Sequence, residues 1–167
     1  MIISTDRGDI VVEVDTIKSV VTAKNFLSLV EKGVYDSSLF YRVVRPDNQP
    51  NSAYKIEVIQ GGLFADSLID RQTLVRHETT KETSIMHTDG AISMARALPG
   101  TASTEFFICI GTQPELDYGG RRNPDGQGFS AFGHVVEGMD IVRKIQQMKD
   151  TSQYLVSPVL VVSMRIK

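Results

Sequence analysis

The chain has 167 residues, 41% of them hydrophobic and 23% charged, with a net charge of −2. That composition suits one compact domain with a sizeable core and leaves no basic surplus for tracking nucleic-acid phosphates or lying on an anionic membrane. No uninterrupted apolar run approaches the roughly 20 residues that span a bilayer. The opening Met1-Ile2-Ile3-Ser4-Thr5-Asp6 lacks a basic region followed by an apolar signal core, so a cytoplasmic protein is expected, a periplasmic one being the alternative if a leader has been removed. Cys109 is the only cysteine, which excludes an internal disulfide, and its place in FFICI reads as a buried packing residue.

Residues 2–5 and 9–14 read as a hairpin turning through Asp6-Arg7-Gly8-Asp9, with Ile10, Val12 and Val14 on one face. A helical stripe of Ala23, Phe26, Leu27 and Val30 follows and ends at Gly33, a C-terminal cap position. Strands are predicted over 39–44 and 55–60, separated by the loop RPDNQPNSAYKIE (45–57) with its turn formers Pro46, Asn48, Pro50 and Asn51. Asp66, Asp70, Arg71 and the acid-base mixture from 76 to 82 read as a solvated face. Strands over 91–96 and 106–110 precede a second long loop, YGGRRNPDGQG (118–128), which lacks the Gly-Lys-Ser/Thr ending of a phosphate-binding P-loop. A strand over 131–136, a helix carrying Ile141, Val142, Ile145 and Met148 after Gly138, and a strand over 159–166 complete the chain.

Eight strands with only two well-separated helices do not alternate as βαβ units. The expected fold is mainly β: a closed eight-stranded antiparallel β-barrel capped by two α-helices, with residues 1–167 forming a single domain. Side chains fill the interior of a barrel of that size, so a ligand binds outside it or at its rim. A hollow small-ligand barrel would need a different lining from these large apolar residues.

His77, His87 and His134 show no metal-ligand spacing, so no metal is expected, and no cofactor signature is present. No serine sits in a Gly-x-Ser-x-Gly elbow, which leaves an acyl-transfer triad unsupported. What remains is the pair of charges set beside an apolar strand, Arg96 and Glu105 in MARALPGTASTEFFICIG (94–111).

LFYRVV (39–44), VIQGG (58–62), ISMAR (92–96), STEFFI (103–108) and FSAFGHVVEGMDIV (129–142) resemble, in order, the strand motifs of the cyclophilins, and of the bacterial ones in particular. TAKNFLSLVEKGVYD (22–36) extends the resemblance over essentially the whole chain. It implies a peptidyl-prolyl cis-trans isomerase that assists protein folding, with a proline-peptide binding module of weak or no turnover as the alternative. The implied catalytic residue is Arg42. Val58, Phe107, Leu116 and Phe129 are the implied walls of a pocket for the proline ring, and Gln60 lies beside the bound peptide. An extended substrate is expected to pair with backbone at Arg96, between Ala95 and Ala97, whose small side chains keep the groove open.

Rotation about an X-Pro bond breaks no covalent bond, yet faces a barrier of about 18–20 kcal/mol because conjugation is lost. The twisted state restores a lone pair to the prolyl nitrogen, and a fixed cationic donor aimed there stabilises it selectively. This is the role implied for Arg42.

Five positions depart from the family pattern. Glu105 stands where many cyclophilins carry glutamine and is expected to ion-pair with Arg42. Arg96 replaces an asparagine, Glu115 an indole, and Phe129 a histidine. Glu57 aligns with the first pocket aromatic, leaving Tyr54 or Ile56 to supply that wall. The expected partners are proline-containing peptides and unfolded proteins, with cyclosporin-type cyclic peptides bound weakly; neither nucleic acid nor membrane is expected, and the chain is expected to be a monomer.

Overall fold

Two residues, Asp6 and Arg7, turn the chain between β1 (Ile2–Thr5) and β2 (Gly8–Val14), which pair antiparallel as the alternation of Ile10 and Val12 requires. In the computed structural model, which describes residues 1–167, the remaining elements follow as α1 (Val20–Glu31), β3 (Ser38–Val44), β4 (Val58–Gly62), α2 (Asp66–Ile69), α3 (Thr80–Thr83), β5 (Ala91–Met94), β6 (Phe106–Cys109), β7 (Ser130–Glu137), α4 (Met139–Gln146), β8 (Asp150–Thr151) and β9 (Tyr154–Arg165). The strands run in the order β1-β2-β7-β5-β6-β4-β3-β9, and β1 pairs with β9 to close the ring. Every pairing is antiparallel. The expected eight-stranded closed barrel is thus present, with β8 an added two-residue strand on β9 and α2 and α3 single turns beyond the two expected helices.

Alternation divides the apolar residues between two clusters. Phe40, Val43, Ile59, Phe106 and Ile108 point inward and join Phe26 of α1 and Val142 and Ile145 of α4 in the barrel interior. Their neighbours Val44, Val58, Phe107 and Cys109 point outward and gather with Ile56, Ala91 and Leu116 in a second, smaller cluster on the outer wall. Phe106 is the hub of the interior, packing edge-on against Phe26, Tyr35 and Phe40 at ring separations of 5.5, 5.8 and 5.5 Å. The Tyr35 hydroxyl, buried among them, donates to the Thr104 carbonyl at 3.0 Å.

Gly33 ends α1 as predicted, with φ +68°. Its N–H donates to Val30 O and that of Val34 to Leu29 O, the paired bonds of a left-handed helix terminus. The buried stripe is Ala23, Phe26, Leu29 and Val30; Leu27 is only half-buried, because the helix leans one position further round than the stripe read from sequence. The other end of α1 corrects a second expectation. Glu78, read as part of a solvated face, is buried and accepts hydrogen bonds from Ser19 Oγ and from the Val21 and Thr22 N–H groups, satisfying donors that a helix start leaves free.

Two strands begin elsewhere than predicted. β4 starts at Val58 because residues 55–57 are still held in the loop, where the Gln49 amide bonds both the N–H and the C=O of Ile56. β9 starts at Tyr154, well before Pro158, because it crosses a bulge: Phe40 faces Val159 whereas Arg42 faces Tyr154.

Truncating the interior hub, Phe106→Ala, is expected to lower unfolding free energy by about 3–5 kcal/mol. A urea titration reads this as a lower midpoint with an unchanged slope.

Candidate active site

The outward cluster forms the floor of a pocket of about 260 Å³. Arg42, Val58, Gln60, Ala95, Arg96, Phe107, Leu116 and Phe129, all singled out from the sequence, line it together with Ile56, Arg122 and Asn123. Phe107 and Phe129 meet edge to face at 5.3 Å to form an apolar corner. The two largest depressions, of about 340 and 420 Å³, lie elsewhere on the surface, and each has only three apolar lining residues.

Arg42 reaches this outer wall because of a bulge. Phe40 faces Gly61 and Arg42 faces Gln60, so Tyr41 is an extra residue in β3. Strict alternation from the inward Phe40 would have turned Arg42 into the barrel; the extra residue turns it out. Its guanidinium is then clamped between two glutamines. Nη1 donates to Gln60 Oε1 at 2.8 Å, while Nε and Nη2 donate to Gln153 Oε1 at 3.0 and 2.5 Å. Three of the five guanidinium donors are engaged by neutral oxygens, and two remain. Burial pulls the Arg42 pKa below the usual guanidinium range, an effect opposed by Tyr154 and Tyr41.

Gln153 has no counterpart among the residues picked from the sequence. It sits with Ser152 at the tip of the β8–β9 hairpin, both at positive φ (76° and 51°), the geometry of a two-residue turn. Its amide also donates to Asn48 O at 3.0 Å, joining the hairpin to the 45–57 loop. The stretch Ser152-Gln153 lacks the glycine that advertises such turns, which is why no sequence signal marks it.

The expected ion pair between Glu105 and Arg42 does not form. The Glu105 carboxylate instead accepts from the Leu63 N–H at 2.7 Å, the Phe64 N–H at 3.4 Å and the Tyr41 hydroxyl. It lies against Gly62, where it leaves no room for a Cβ. Its link to Arg42 is indirect: the Tyr41 oxygen accepts from Gln60 Nε2 at 2.8 Å, and Gln60 Oε1 holds the guanidinium. Burial raises the Glu105 pKa, a shift its hydrogen bonds from Tyr41, Leu63 and Phe64 offset only in part. Burial and the Glu105 charge together keep the Tyr41 phenol protonated.

Glu105 and Ala97 line an adjoining groove rather than the pocket itself; Gln60, Ala95 and Arg96 border both. The Arg96 side chain is taken up by structure. It forms a two-pronged ion pair with Asp125 at 2.8 and 2.9 Å, donates to Gly128 O, and lies over the Phe129 ring at 5.1 Å, fixing the 118–128 loop to the pocket edge.

The missing first aromatic wall is supplied by Ile56, which is buried against the pocket. Glu57 turns away to accept from Gln146 Nε2 at 3.2 Å. Tyr54 lies beneath the Arg121 guanidinium at 4.3 Å, and Arg121 pairs with Glu115 at 3.0 Å, so a stack of Glu115, Arg121 and Tyr54 occupies the rim.

Below the floor, His87 lies 2.7 Å from Asp117 through Nδ1 and 2.9 Å from Ser93 Oγ through Nε2, an arrangement the dispersed sequence positions did not reveal. Ser93 and His87 are fully enclosed, so no substrate reaches the hydroxyl and the array is structural. The imidazole stacks on Phe107 at 5.9 Å and holds the floor level.

The folded state binds the Glu105 proton more tightly than the unfolded chain, so its ionisation costs stability as the pH rises through the folded pKa. Relative to Glu105→Gln, the wild-type protein is expected to gain stability as the pH falls from neutrality toward the ordinary carboxylate range. Urea midpoints measured across that range check this; a flat difference, or one that favours the wild type at higher pH, contradicts it.

A family model described as cyclophilin type peptidyl-prolyl cis-trans isomerase/CLD matches residues 1–166. The chain is 29% identical over 170 residues to a peptidyl-prolyl cis-trans isomerase of Streptomyces antibioticus, covering 98% of this chain and 96% of that one. It is 31% identical to one of Acinetobacter baylyi (98% and 82% covered) and 32% identical to peptidyl-prolyl cis-trans isomerase B of Escherichia coli (85% and 80% covered). Among solved structures, a cyclophilin type peptidyl-prolyl cis-trans isomerase of Cryptosporidium parvum, crystallised in the presence of the dipeptide Ala-Pro, superposes with a TM-score of 0.73 at 21% identity, over 97% of this chain and 94% of that one.

Proposed function

The chain belongs to the cyclophilin-type peptidyl-prolyl cis-trans isomerases, and from that membership we propose that its Arg42 pocket is where a proline-containing peptide is held and rotated. The observation that carries the assignment is the guanidinium clamped by Gln60 and Gln153 with two donors to spare, beside the apolar corner of Phe107 and Phe129. The crystallisation of a relative of the same fold with Ala-Pro accords with it.

The ring seats against Val58, Phe107, Leu116 and Phe129, which exclude water from one side of the X-Pro bond. One free Arg42 donor aims at the prolyl nitrogen. The planar amide offers that nitrogen's lone pair to its carbonyl; the twisted amide offers it to the donor, so the contact strengthens as rotation proceeds. A charge-assisted hydrogen bond contributes roughly 1.5–3 kcal/mol. Holding one half of the peptide fixed while the other turns must supply most of the remainder. No proton is transferred, and a permanently charged arginine needs no tuned pKa.

Unfolded proteins meet the same requirements as peptides, since the pocket reads the proline ring and an extended flank. Binding of cyclosporin-type cyclic peptides is weak in this reading, because the charged stack of Glu115, Arg121 and Tyr54 occupies the rim where the family pattern has an indole.

Arg42→Ala is expected to lower kcat/KM on a neutral X-Pro peptide by about 10²–10³-fold, mostly in kcat, as removal of a transition-state donor does. Gln153→Ala leaves the guanidinium in place but untethered on one side, and a loss of about tenfold is expected. A protease-coupled or NMR exchange assay measures both. Unchanged turnover in Arg42→Ala removes the basis of the assignment.

A further inference from the structure

The pocket holds a second cation that no acid pairs. Arg122, from the 118–128 loop, lines it too, and its Nη1 lies 3.0, 2.5 and 2.7 Å from the acceptors Gln49 Oε1, Ser52 Oγ and Tyr54 O, which share its two hydrogens. All three acceptors are neutral, as are those of Arg42. Burial, and after it the like charge of Arg42, lower the Arg122 pKa, so the two guanidinium fields overlap. Two cations held together without an acid between them leave the site electrostatically incomplete. Elsewhere around the pocket the arginines are matched, Arg96 by Asp125 and Arg121 by Glu115. Beside Arg122, Asn123 lines the same pocket, and its amide nitrogen is buried without a hydrogen-bond partner.

The two sides of the pocket differ in charge. The groove past Ala95 and Ala97 is lined by the half-buried Glu105 carboxylate, which repels an anion. On the other side, Arg122 and Gln153 border a cleft of about 330 Å³ walled by Gln49, Pro50, Asn51 and Ser52.

We propose that this isomerase selects peptides carrying a carboxylate side chain, aspartate or glutamate, next to the proline, on the flank that leaves the pocket through the Arg122 cleft. Arg122 is the specificity-determining residue, meeting the carboxylate with the Nε and Nη2 donors its loop contacts leave free, and Asn123 Nδ2 is a second donor. The inference rests on the pocket being the proline site.

Two pairs of peptides test it, with Glu or Gln immediately before, or immediately after, the same proline. In one placement only, the Glu peptide is expected to exceed its Gln partner in kcat/KM by about fivefold at low salt, the size of a half-exposed charge pair, with the gap closing at high salt. The ratio should fall toward one in Arg122→Gln and persist in Arg122→Lys. Ratios near one at both placements in the wild type overturn the inference, as does a Glu preference that survives Arg122→Gln. If Arg122→Gln does not fold, Arg122→Lys and the salt dependence of the wild type still decide. Turnover of the Gln peptides that depends on Arg42 but shows no Glu preference sinks this inference alone. Turnover indifferent to Arg42 sinks the proline-site assignment instead.

Discussion

One extra residue in β3 decides on which side of the barrel wall Arg42 stands. A strand delivers alternate side chains to opposite faces, and Phe40 and Val43 must both point inward to fill the interior. Only a bulge at Tyr41 reconciles those two positions, and it leaves Tyr41 and Arg42 together on the outer face. The packing of the core and the placement of the functional cation are therefore one constraint. Removing the bulge would bury a guanidinium among phenyl rings or expel Val43 from the core, and either costs far more than an irregular strand.

From that starting point the site is organised by neutral amides. Gln60 on β4 and Gln153 in the turn leading into β9 grip the guanidinium, β4 and β9 flanking β3 on opposite sides. A carboxylate in either place would bind more tightly but would neutralise the charge that the twisted amide needs. Glu105 is kept at the end of a chain through Tyr41 and Gln60, where it braces the network and the backbone at Leu63 without occupying Arg42. Acid and base are both present, but a phenol and an amide stand between them.

Much of this was legible in the sequence because strand period and motif order both depend on short-range pattern. The eight barrel strands, the Gly33 terminus and the grouping of Arg42 with Val58, Gln60, Phe107, Leu116 and Phe129 all emerge. What escaped were features fixed by distant contacts. The bulge at Tyr41 follows from core packing against other strands, and nothing in LFYRVV marks it. Glu78 looks like one more surface acid until the start of α1 is laid on it. A carboxylate in the glutamine's place is expected to accept from Arg42; the backbone N–H groups of Leu63 and Phe64, invisible in a side-chain pattern, take it first. The Ser93, His87 and Asp117 array joins three separate segments and shows in no local motif.

Gln153 carries a consequence for biosynthesis. The side chain that fixes Arg42 comes from the tip of a hairpin whose second strand is the last in the chain and the one that closes the ring against β1. While the chain emerges from a ribosome, Arg42 and the pocket floor are exposed long before the clamp exists. Full activity then waits on barrel closure, which brings Gln153 to the guanidinium.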